Sequence, residues 1–235
     1  MMKRSNEPEL MDNPDLDAKI LRAALDEVTL VNQRLGGYSV TLEGLHRLFK
    51  AVPKGEYTIL DMGCGDGAML RKMAAYCRKR RILAQFIGID LNPKSLEIAR
   101  EKSTEFSEIT YRCQDIMTVR PADFECDIVT STLTMHHFTD VQILQFMLHF
   151  EKLATIGIVI NDLQRSRMAL RLFRVFSRIF MKTKIARHDG KVSIQRAFTE
   201  KELRTYSEQL GFKKYTIEWR WAFRYLWIIH TAPSR

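Results

Sequence analysis

The residues of this chain that could do chemistry begin with the segment 59–70, which reads ILDMGCGDGAML. A short apolar run leads to Asp61, after which Gly63, Gly65 and Gly67 alternate with other residues. This pattern predicts a buried strand, a glycine-rich turn and the start of a helix, because glycine allows a sharp bend and lets a ligand lie against bare backbone. We therefore expect a nucleotide-type cofactor at the carboxyl edge of a parallel sheet.

The neighbours of these glycines indicate which cofactor is bound. Gly63, Gly65 and Ala68 satisfy a permissive dinucleotide fingerprint. Asp61 argues against a dinucleotide, because a pyrophosphate would meet negative charge there. A long helical segment also precedes this strand, whereas a dinucleotide fingerprint usually lies on the first strand of its domain. A carboxylate suits the sulfonium and ammonium groups of S-adenosylmethionine, and a dehydrogenase is the poorer alternative.

Two more acids stand where later strands are predicted to end. The run FIGID at 86–90 ends in Asp90, which can accept hydrogen bonds from two ribose hydroxyls. The segment 109–116 carries Asp115, which is well placed to accept from an adenine amino group. Strands alternate with helical segments over 57–160, and this alternation predicts a parallel sheet with right-handed crossovers.

These segments, in this order, resemble the class I S-adenosylmethionine-dependent methyltransferases over roughly residues 38–230. The motifs are DMGCGDG at 61–67, GID at 88–90, QD at 114–115 and DIV at 127–129. The resemblance implies a Rossmann-like α/β fold whose sheet has strand order 3-2-1-4-5-7-6, with strand 7 antiparallel. It also implies S-adenosylmethionine as cofactor, bound by Asp61, Gly63, Cys64, Gly65, Asp90, Leu91, Gln114, Asp115, Ile116 and Ser131.

A histidine pair follows the fourth predicted strand, in LTMHHF at 133–138. A neutral histidine beyond the carboxyl end of a central strand could take a proton from a phenol-type acceptor. We place His137 slightly ahead of His136 as this base, and the alternative is that both are structural. Similar His-His-Phe segments occur in relatives that resemble ubiquinone and menaquinone methyltransferases. We expect no metal, because no adjacent carboxylate completes a ligand set.

The residues after the fifth predicted strand should lie opposite the methyl donor. Asp162 could be a second base or could orient one, but we favour helix capping or a surface ion pair. Arg165 could grip an anionic group of a substrate bidentately. We predict Arg165 and Arg196 as substrate-binding residues.

The predicted lid, residues 163–197, combines apolar and basic positions. Arg167, Arg171, Arg174 and Arg178 recur three or four residues apart on one face of a helix over 168–181. We favour a lid helix with a solvated arginine stripe, and peripheral membrane contact through 163–183 is the alternative. The pair Asp189-Gly190 predicts a turn.

A narrower resemblance concerns the acceptor. The segments 9–12, 31–37, 161–165 and 189–198 resemble bacterial small-molecule methyltransferases that are often encoded near type III polyketide synthases. This resemblance implies an aromatic hydroxyl acceptor of alkylresorcinol or quinol type, or less favourably a carbon acceptor. Gln164 stands where that subgroup has histidine, so this segment is a poor source of the base.

Composition and organisation limit the remaining possibilities. The net charge of +9 raises the alternative of an RNA methyltransferase, although no appended RNA-binding module is found. A non-catalytic cofactor-binding scaffold is a third possibility. The four cysteines form no C-x-x-C pair, which together with the absence of a signal peptide predicts a soluble cytoplasmic protein. We predict a disordered tail at 1–14, then one domain at 15–235 with a helical cap at 15–55.

Overall fold

A seven-stranded sheet organises the computed structural model, which describes residues 2–231. The strands are β1 Glu56–Met62, β2 Leu83–Asp90, β3 Ile109–Cys113, β4 Cys126–Thr132, β5 Ala154–Leu163, β6 Tyr215–Arg220 and β7 Arg224–His230. Their order across the sheet is β3-β2-β1-β4-β5-β7-β6, and β7 runs antiparallel to both of its neighbours. The predicted fold and strand order are confirmed.

Eight α-helices accompany the sheet within residues 2–231: α1 Ala18–Arg34, α2 Gly37–Ala51, α3 Ala68–Arg80, α4 Pro93–Lys102, α5 Asp140–Leu153, α6 Arg167–Phe180, α7 Lys184–Arg196 and α8 Glu200–Gln209. Helix α2 starts at Gly37, and the hydroxyl of Thr41 within it lies 2.9 Å from the Thr132 hydroxyl at the end of β4. None of the described helices is both long and apolar enough to cross a bilayer.

Both faces of the sheet are covered by helices and buried. Successive side chains of a strand point in opposite directions, so each strand contributes to both cores. Leu60 of β1 packs with Phe146 of α5 on one face. Its neighbour Ile59 packs with Leu48 of α2 and Leu70 of α3 on the other. Full burial of a side chain of this size contributes about 1.5–3 kcal/mol, so the two cores hold the strand ends in fixed positions.

Residues 2–14, predicted to be a disordered tail, pack against the domain instead. The Arg4 guanidinium donates to the Arg196 carbonyl at 2.6 Å, and Glu9 is only 5% exposed. The backbone amides of Leu10 and Met11 each donate to the Asp189 carboxylate at 2.9 Å. The partners lie more than 120 residues away in the chain, so no local sequence pattern reveals them.

The turn predicted at Asp189-Gly190 is wrong, because α7 runs through both residues. The Asp189 carboxylate accepts hydrogen bonds from the amides of residues 10 and 11 rather than from its own backbone. A Cβ atom at Gly190 would lie 2.2 Å from Cζ of Phe173 in α6. Glycine is present here because α6 and α7 approach closely.

Candidate active site

The carboxyl ends of β1, β2 and β4 open into a cavity of about 1090 Å³. The turn after β1 and side chains of α1 and α6 all line this cavity. The loop after β4 contributes the histidine pair to the same lining. The cavity therefore joins the predicted cofactor edge to the predicted acceptor side.

Gly63 allows two loops to meet at the floor of the cavity. The amides of Gly63 and Cys64 donate to the Ile89 carbonyl at 2.8 and 3.0 Å, which ties the turn to β2. Gly63 has φ of 75°, and a Cβ there would lie 2.3 Å from Cγ2 of Thr134. The Thr134 hydroxyl donates to the Gly63 carbonyl at 3.2 Å, so the loop after β4 is fixed on the turn.

Gly65 offers bare backbone to the cavity. Its φ is 54°, and nothing lies within 4 Å of the position a Cβ would take. Its amide donates to Oδ2 of Asp90 at 2.8 Å. The open space here results from the bend itself, as expected where a ligand approaches the main chain.

Asp61 is a buried carboxylate at the end of β1. Burial raises the pKa of Asp61 to about 7; the nearby charge of Asp90 adds to this, although a hydrogen bond from Thr130 opposes it. The Thr130 hydroxyl lies 2.7 Å from Oδ1 of Asp61. Because Asp61 also lines the cavity, a cationic ligand group would stabilise its charged form.

Asp90 and Asp115 line the cavity farther along the sheet edge. The two oxygens of Asp90 accept from the amides of Asn92, at 2.9 Å, and Gly65. Burial raises the pKa of Asp90, while these backbone donors lower it. Oδ1 of Asp115 accepts from the Met117 amide at 2.9 Å. Backbone donors thus hold both carboxylates, and each oxygen has a further lone pair for a ligand.

All but two of the predicted cofactor residues line the cavity: Asp61, Gly63, Cys64, Gly65, Asp90, Leu91, Asp115 and Ile116. The structure places Ser131 and Gln114 outside the lining. The Ser131 hydroxyl is fully buried and donates to the Met62 carbonyl at 3.1 Å. The Gln114 side chain lies 3.4 Å from the Thr118 hydroxyl. Ser131 therefore joins β4 to β1 beneath the cavity.

His136 is buried between two carboxylates. Its Nδ1 lies 2.7 Å from Oδ1 of Asp162, and its Nε2 lies 3.2 Å from Oε1 of Glu9. Burial disfavours the imidazolium, but Asp162 and Glu9 outweigh this and raise the pKa of His136 to about 10. Burial likewise opposes ionisation of Glu9, yet the histidine lowers the pKa of Glu9 to about 2. The preference for Asp162 as a helix cap or surface ion pair is therefore corrected: Asp162 orients His136 from a buried position.

His137 is the partly exposed member of the pair, and 23% of its side chain is accessible. Its Nδ1 lies 3.0 Å from Oδ2 of Asp12, and its Nε2 lies 3.8 Å from Oε2 of Glu9. The rings of His136 and His137 have centroids 4.5 Å apart. Each histidine thus has one carboxylate on Nδ1 and Glu9 near Nε2.

Arg165 and Arg196 do not line the cavity. The Arg165 guanidinium donates to Glu202 at 2.5 Å and to the carbonyls of Met2 and Ala197. Arg196 donates to the carbonyls of residues 7, 136 and 137. Arg165 and Arg196 were predicted to bind substrate, but the structure does not place either of them at the cavity. Arg196 instead fixes the histidine turn against the N-terminal segment.

Glu9 and Arg224 are among the charged residues of the cavity that the sequence reasoning missed. Glu9 lies in the segment interpreted as a tail, although segment 9–12 contributed to the narrower resemblance. Arg224, at the start of β7, is 3% exposed and donates to Oδ1 of Asn32 at 2.5 Å. Burial lowers the pKa of Arg224 to about 10, although Asp162 opposes this. It follows an aromatic run that gives no hint of a buried cation.

The family described as "Methyltransferase domain" matches residues 59–155. This match spans β1 to the start of β5 and includes the glycine turn, Asp90, Asp115 and both histidines. Residues 59–155 therefore match a methyltransferase domain. Glu9, α6 and α7 lie outside the matched range, so the family match does not explain them.

Curated relatives match this methyltransferase domain over part of its length. A ubiquinone biosynthesis O-methyltransferase of Xanthomonas campestris pv. campestris is 36% identical over 86 residues, or 35% of this chain and 33% of that protein. A ribosomal protein L11 methyltransferase of Burkholderia cenocepacia is 32% identical over 127 residues, or 54% of this chain and 38% of that protein. The chain thus spans about a third of the length of the curated relatives it matches.

Solved structures agree with the methyltransferase fold. The plantazolicin methyltransferase in complex with SAH superimposes with a TM-score of 0.66 at 15% identity, covering 91% of this chain and 98% of that one. The magnesium protoporphyrin IX methyltransferase from Synechocystis with bound SAH gives a TM-score of 0.59 at 17% identity, covering 85% of each chain. At these identities the likeness concerns the fold alone.

The cavity also has an apolar end. Leu25 and Val28 of α1, Phe173 and Phe176 of α6, and Phe223 line it. Aromatic and aliphatic side chains of this kind favour a hydrophobic ligand with few polar groups. The polar groups of the lining include the histidine pair, the acids of the cofactor edge and Arg224.

Proposed function

We propose that this protein transfers a methyl group from S-adenosylmethionine to a hydroxyl of a hydrophobic aromatic small molecule. One observation carries the proposal: a single cavity connects the glycine turn, the histidine pair and the apolar walls of α1 and α6. Methyl transfer requires the acceptor to be held in line with the donor, and a continuous cavity allows this. RNA would need an open basic surface rather than an enclosed apolar end.

The residues present fit S-adenosylmethionine, which supplies an activated methyl group on its sulfonium when bound. Asp61 stands where a carboxylate would balance the ammonium of the methionine portion. Asp90 would accept from the ribose hydroxyls and Asp115 from the adenine amino group. The bare backbone at Gly65 leaves room for the ligand between these acids. Arrival of a cation near Asp61 would offset the cost of burying its charge.

His137 is the proposed base for the acceptor hydroxyl. It is the more exposed histidine, and its ring lines the cavity. His136 is a positioning residue, because Asp162 and Glu9 occupy both of its ring nitrogens. A base at the acceptor oxygen favours O-methylation over transfer to carbon.

The acceptor class rests on the apolar end of the cavity and on the resemblance to methyltransferases of quinone and polyketide biosynthesis. A ring of phenol type would present one hydroxyl to His137 and place its apolar substituent between α1 and α6. The similar protein from Xanthomonas campestris is named a ubiquinone biosynthesis O-methyltransferase, and this name is consistent with an acceptor of this class. The alkylresorcinol and quinol types are the proposed acceptors.

We further propose that α6 contacts anionic membrane surfaces, where such acceptors would partition. Helix α6 exposes Met168, Leu172, Val175, Ile179 and Phe180, and all of these except Met168 also line the cavity. Arg171, Arg174 and Arg178 are also exposed and have no carboxylate partner among residues 2–231. An exposed apolar row flanked by cations is the pattern of an interfacial helix.

The experiment that tests the function measures S-adenosylhomocysteine production with alkylresorcinol, quinol and catechol acceptors. Acceptor-dependent turnover is expected for at least one phenolic class. His137→Ala should lower kcat about 10²–10⁴-fold, the usual contribution of a positioned base, and leave donor affinity unchanged by calorimetry. His46→Ala, on the exposed face of α2, is the matched control. Full activity of His137→Ala would contradict the base assignment, and absence of donor binding would contradict the function itself.

A further inference from the structure

We propose that Glu9, His136 and His137 bind a divalent first-row transition-metal ion. The Nε2 atoms of the two histidines and the Glu9 carboxylate offer ligand atoms that all lie within 4.8 Å of one another. Two imidazole nitrogens and one carboxylate form a ligand set that suits zinc, iron(II) and related ions. The sequence predicts no metal because no carboxylate stands beside the histidines in the chain, but the fold supplies that carboxylate from residue 9.

The distances already approach those of a coordination sphere. Oε1 of Glu9 is 3.2 Å from Nε2 of His136, and Oε2 of Glu9 is 3.8 Å from Nε2 of His137. Ligands about 2.0–2.2 Å from a metal are separated from one another by roughly 3–3.5 Å. The three ligand atoms lie within 4.8 Å of one another, so side-chain rotations that close the widest separation by roughly 1.5 Å would bring them around one ion.

A second carboxylate lies behind each histidine. Nδ1 of His136 is 2.7 Å from Asp162, and Nδ1 of His137 is 3.0 Å from Asp12. Metal-binding histidines commonly donate their other ring N–H to a carboxylate, which fixes the tautomer and directs the free lone pair at the ion. Here both histidines have that arrangement, and both lone pairs would point toward Glu9.

Glu9 and the histidine turn are also held in place by neighbours. The Ser193 hydroxyl donates to Oε1 of Glu9 at 2.7 Å. Arg196 donates to the carbonyls of His136, at 3.0 Å, and of His137. The ligand atoms therefore belong to a supported cluster, and little ordering entropy remains to be lost on binding.

The charges favour a divalent cation. Three carboxylates, Glu9, Asp12 and Asp162, surround two imidazoles. With neutral histidines the cluster carries three negative charges, and a divalent ion offsets two of them. A proton on His136 offsets only one. Burial increases the value of this compensation, because charges interact more strongly away from water.

The ion would have an open position toward the cavity, since three protein ligands leave part of a tetrahedral or octahedral sphere unfilled. If the proposed function holds, the acceptor hydroxyl would bind there. Its pKa would fall on coordination, its proton would pass to solvent, and its oxygen would be held facing the donor. With the ion bound, His137 is a ligand and solvent takes the proton, and the role of base proposed above applies to the chain without the ion.

Calorimetry on the untagged full chain tests the site without donor or acceptor. After treatment with a chelator and dialysis, the protein is titrated with Zn²⁺, and with Co²⁺ while visible absorption is recorded. One ion per chain is expected, and Co²⁺ should give d–d bands of a nitrogen- and oxygen-ligated site. Glu9→Gln and His137→Ala should each weaken binding at least tenfold, and Asp162→Asn about 10–100-fold.

Glu7→Gln is the matched control, because Glu7 lies two residues away and pairs with His188 instead. It should bind the ions as the unaltered chain does. The far-ultraviolet circular dichroism spectrum and the thermal unfolding midpoint of each variant check that the fold is intact. No stoichiometric binding, or equal affinity in Glu9→Gln, His137→Ala and the control, would overturn the proposal. These readouts involve no methyl transfer, so failure of the proposed function leaves them interpretable.

Discussion

Cofactor binding should release a proton from Asp61, because this buried carboxyl has its pKa raised to about 7. The perturbation is the arrival of the ligand ammonium, which favours the carboxylate and lowers the pKa. Because Asp61 must lose its proton on binding, the affinity for the ligand should increase as the pH rises through the pKa of Asp61 in the free protein. Below that pH, each binding event must also remove a proton.

The magnitude follows from the pKa of the free protein. At pH 6 about nine-tenths of Asp61 is protonated and at pH 7 about half. The expected release is therefore about 0.9 proton per ligand at pH 6 and about 0.5 at pH 7. The dissociation constant should fall about fivefold between pH 6 and pH 7, or about 1 kcal/mol. The α-amino group of S-adenosylhomocysteine is that of a free amino acid, whose carboxylate keeps it protonated in this range.

Calorimetric titration with S-adenosylhomocysteine provides the assay. The observed enthalpy is measured at each pH in two buffers of very different ionisation enthalpy, such as phosphate and imidazole. The slope of enthalpy against buffer ionisation enthalpy gives the number of protons released. Asp61→Asn keeps the acceptor for the Thr130 hydroxyl and should remove most of the release. Zero slope at both pH values, or an unchanged slope in Asp61→Asn, would refute the reasoning.

Three further predictions concern affinity, packing and surface binding. Asp90→Ala should weaken S-adenosylhomocysteine binding by about 1–3 kcal/mol through lost charged hydrogen bonds; equal affinity by calorimetry would refute the ribose assignment. Gly190→Ala should lower the free energy of unfolding in urea by about 1–3 kcal/mol, because its Cβ would overlap the Phe173 ring of α6. Gly55→Ala is the control, because its Cβ would meet nothing within 4 Å and the free energy of unfolding should change little. Ile179→Glu should reduce cosedimentation with anionic vesicles several-fold while the equally exposed Val141→Glu does not; equal loss in both would argue against contact through α6.

The cofactor edge could be predicted from the sequence because its residues are local. The bend at Gly63 and Gly65 follows a strand directly, and Asp90 ends the next strand. Parallel strands bring their carboxyl ends to one sheet edge, so short motifs suffice to place these groups together. The strand order followed from the family resemblance rather than from spacing alone.

The acceptor side could not be predicted to the same extent because its contacts are long-range. Glu9 reaches His136 across 127 positions of sequence. Asp162 and Arg165 are three residues apart in the chain, yet one orients the histidine and the other joins β5 to α8 and residue 2. Charged residues near a strand end serve binding or packing equally well, and only the fold distinguishes these roles.

The docking of the N-terminal residues 2–14 on the domain has a consequence for biosynthesis. Glu9 leaves the ribosome 127 residues before His136 and 184 before Ser193, which corresponds to about 6–25 s for the shorter gap at 5–20 residues per second. Glu9 therefore remains hydrated and unpaired while β1 to β5 emerge, and docks only after α7 has emerged. An element that docks after the central strands can also detach without unfolding them. Hydrogen exchange at the amides of Leu10 and Met11 would then be faster than in β1 or β4.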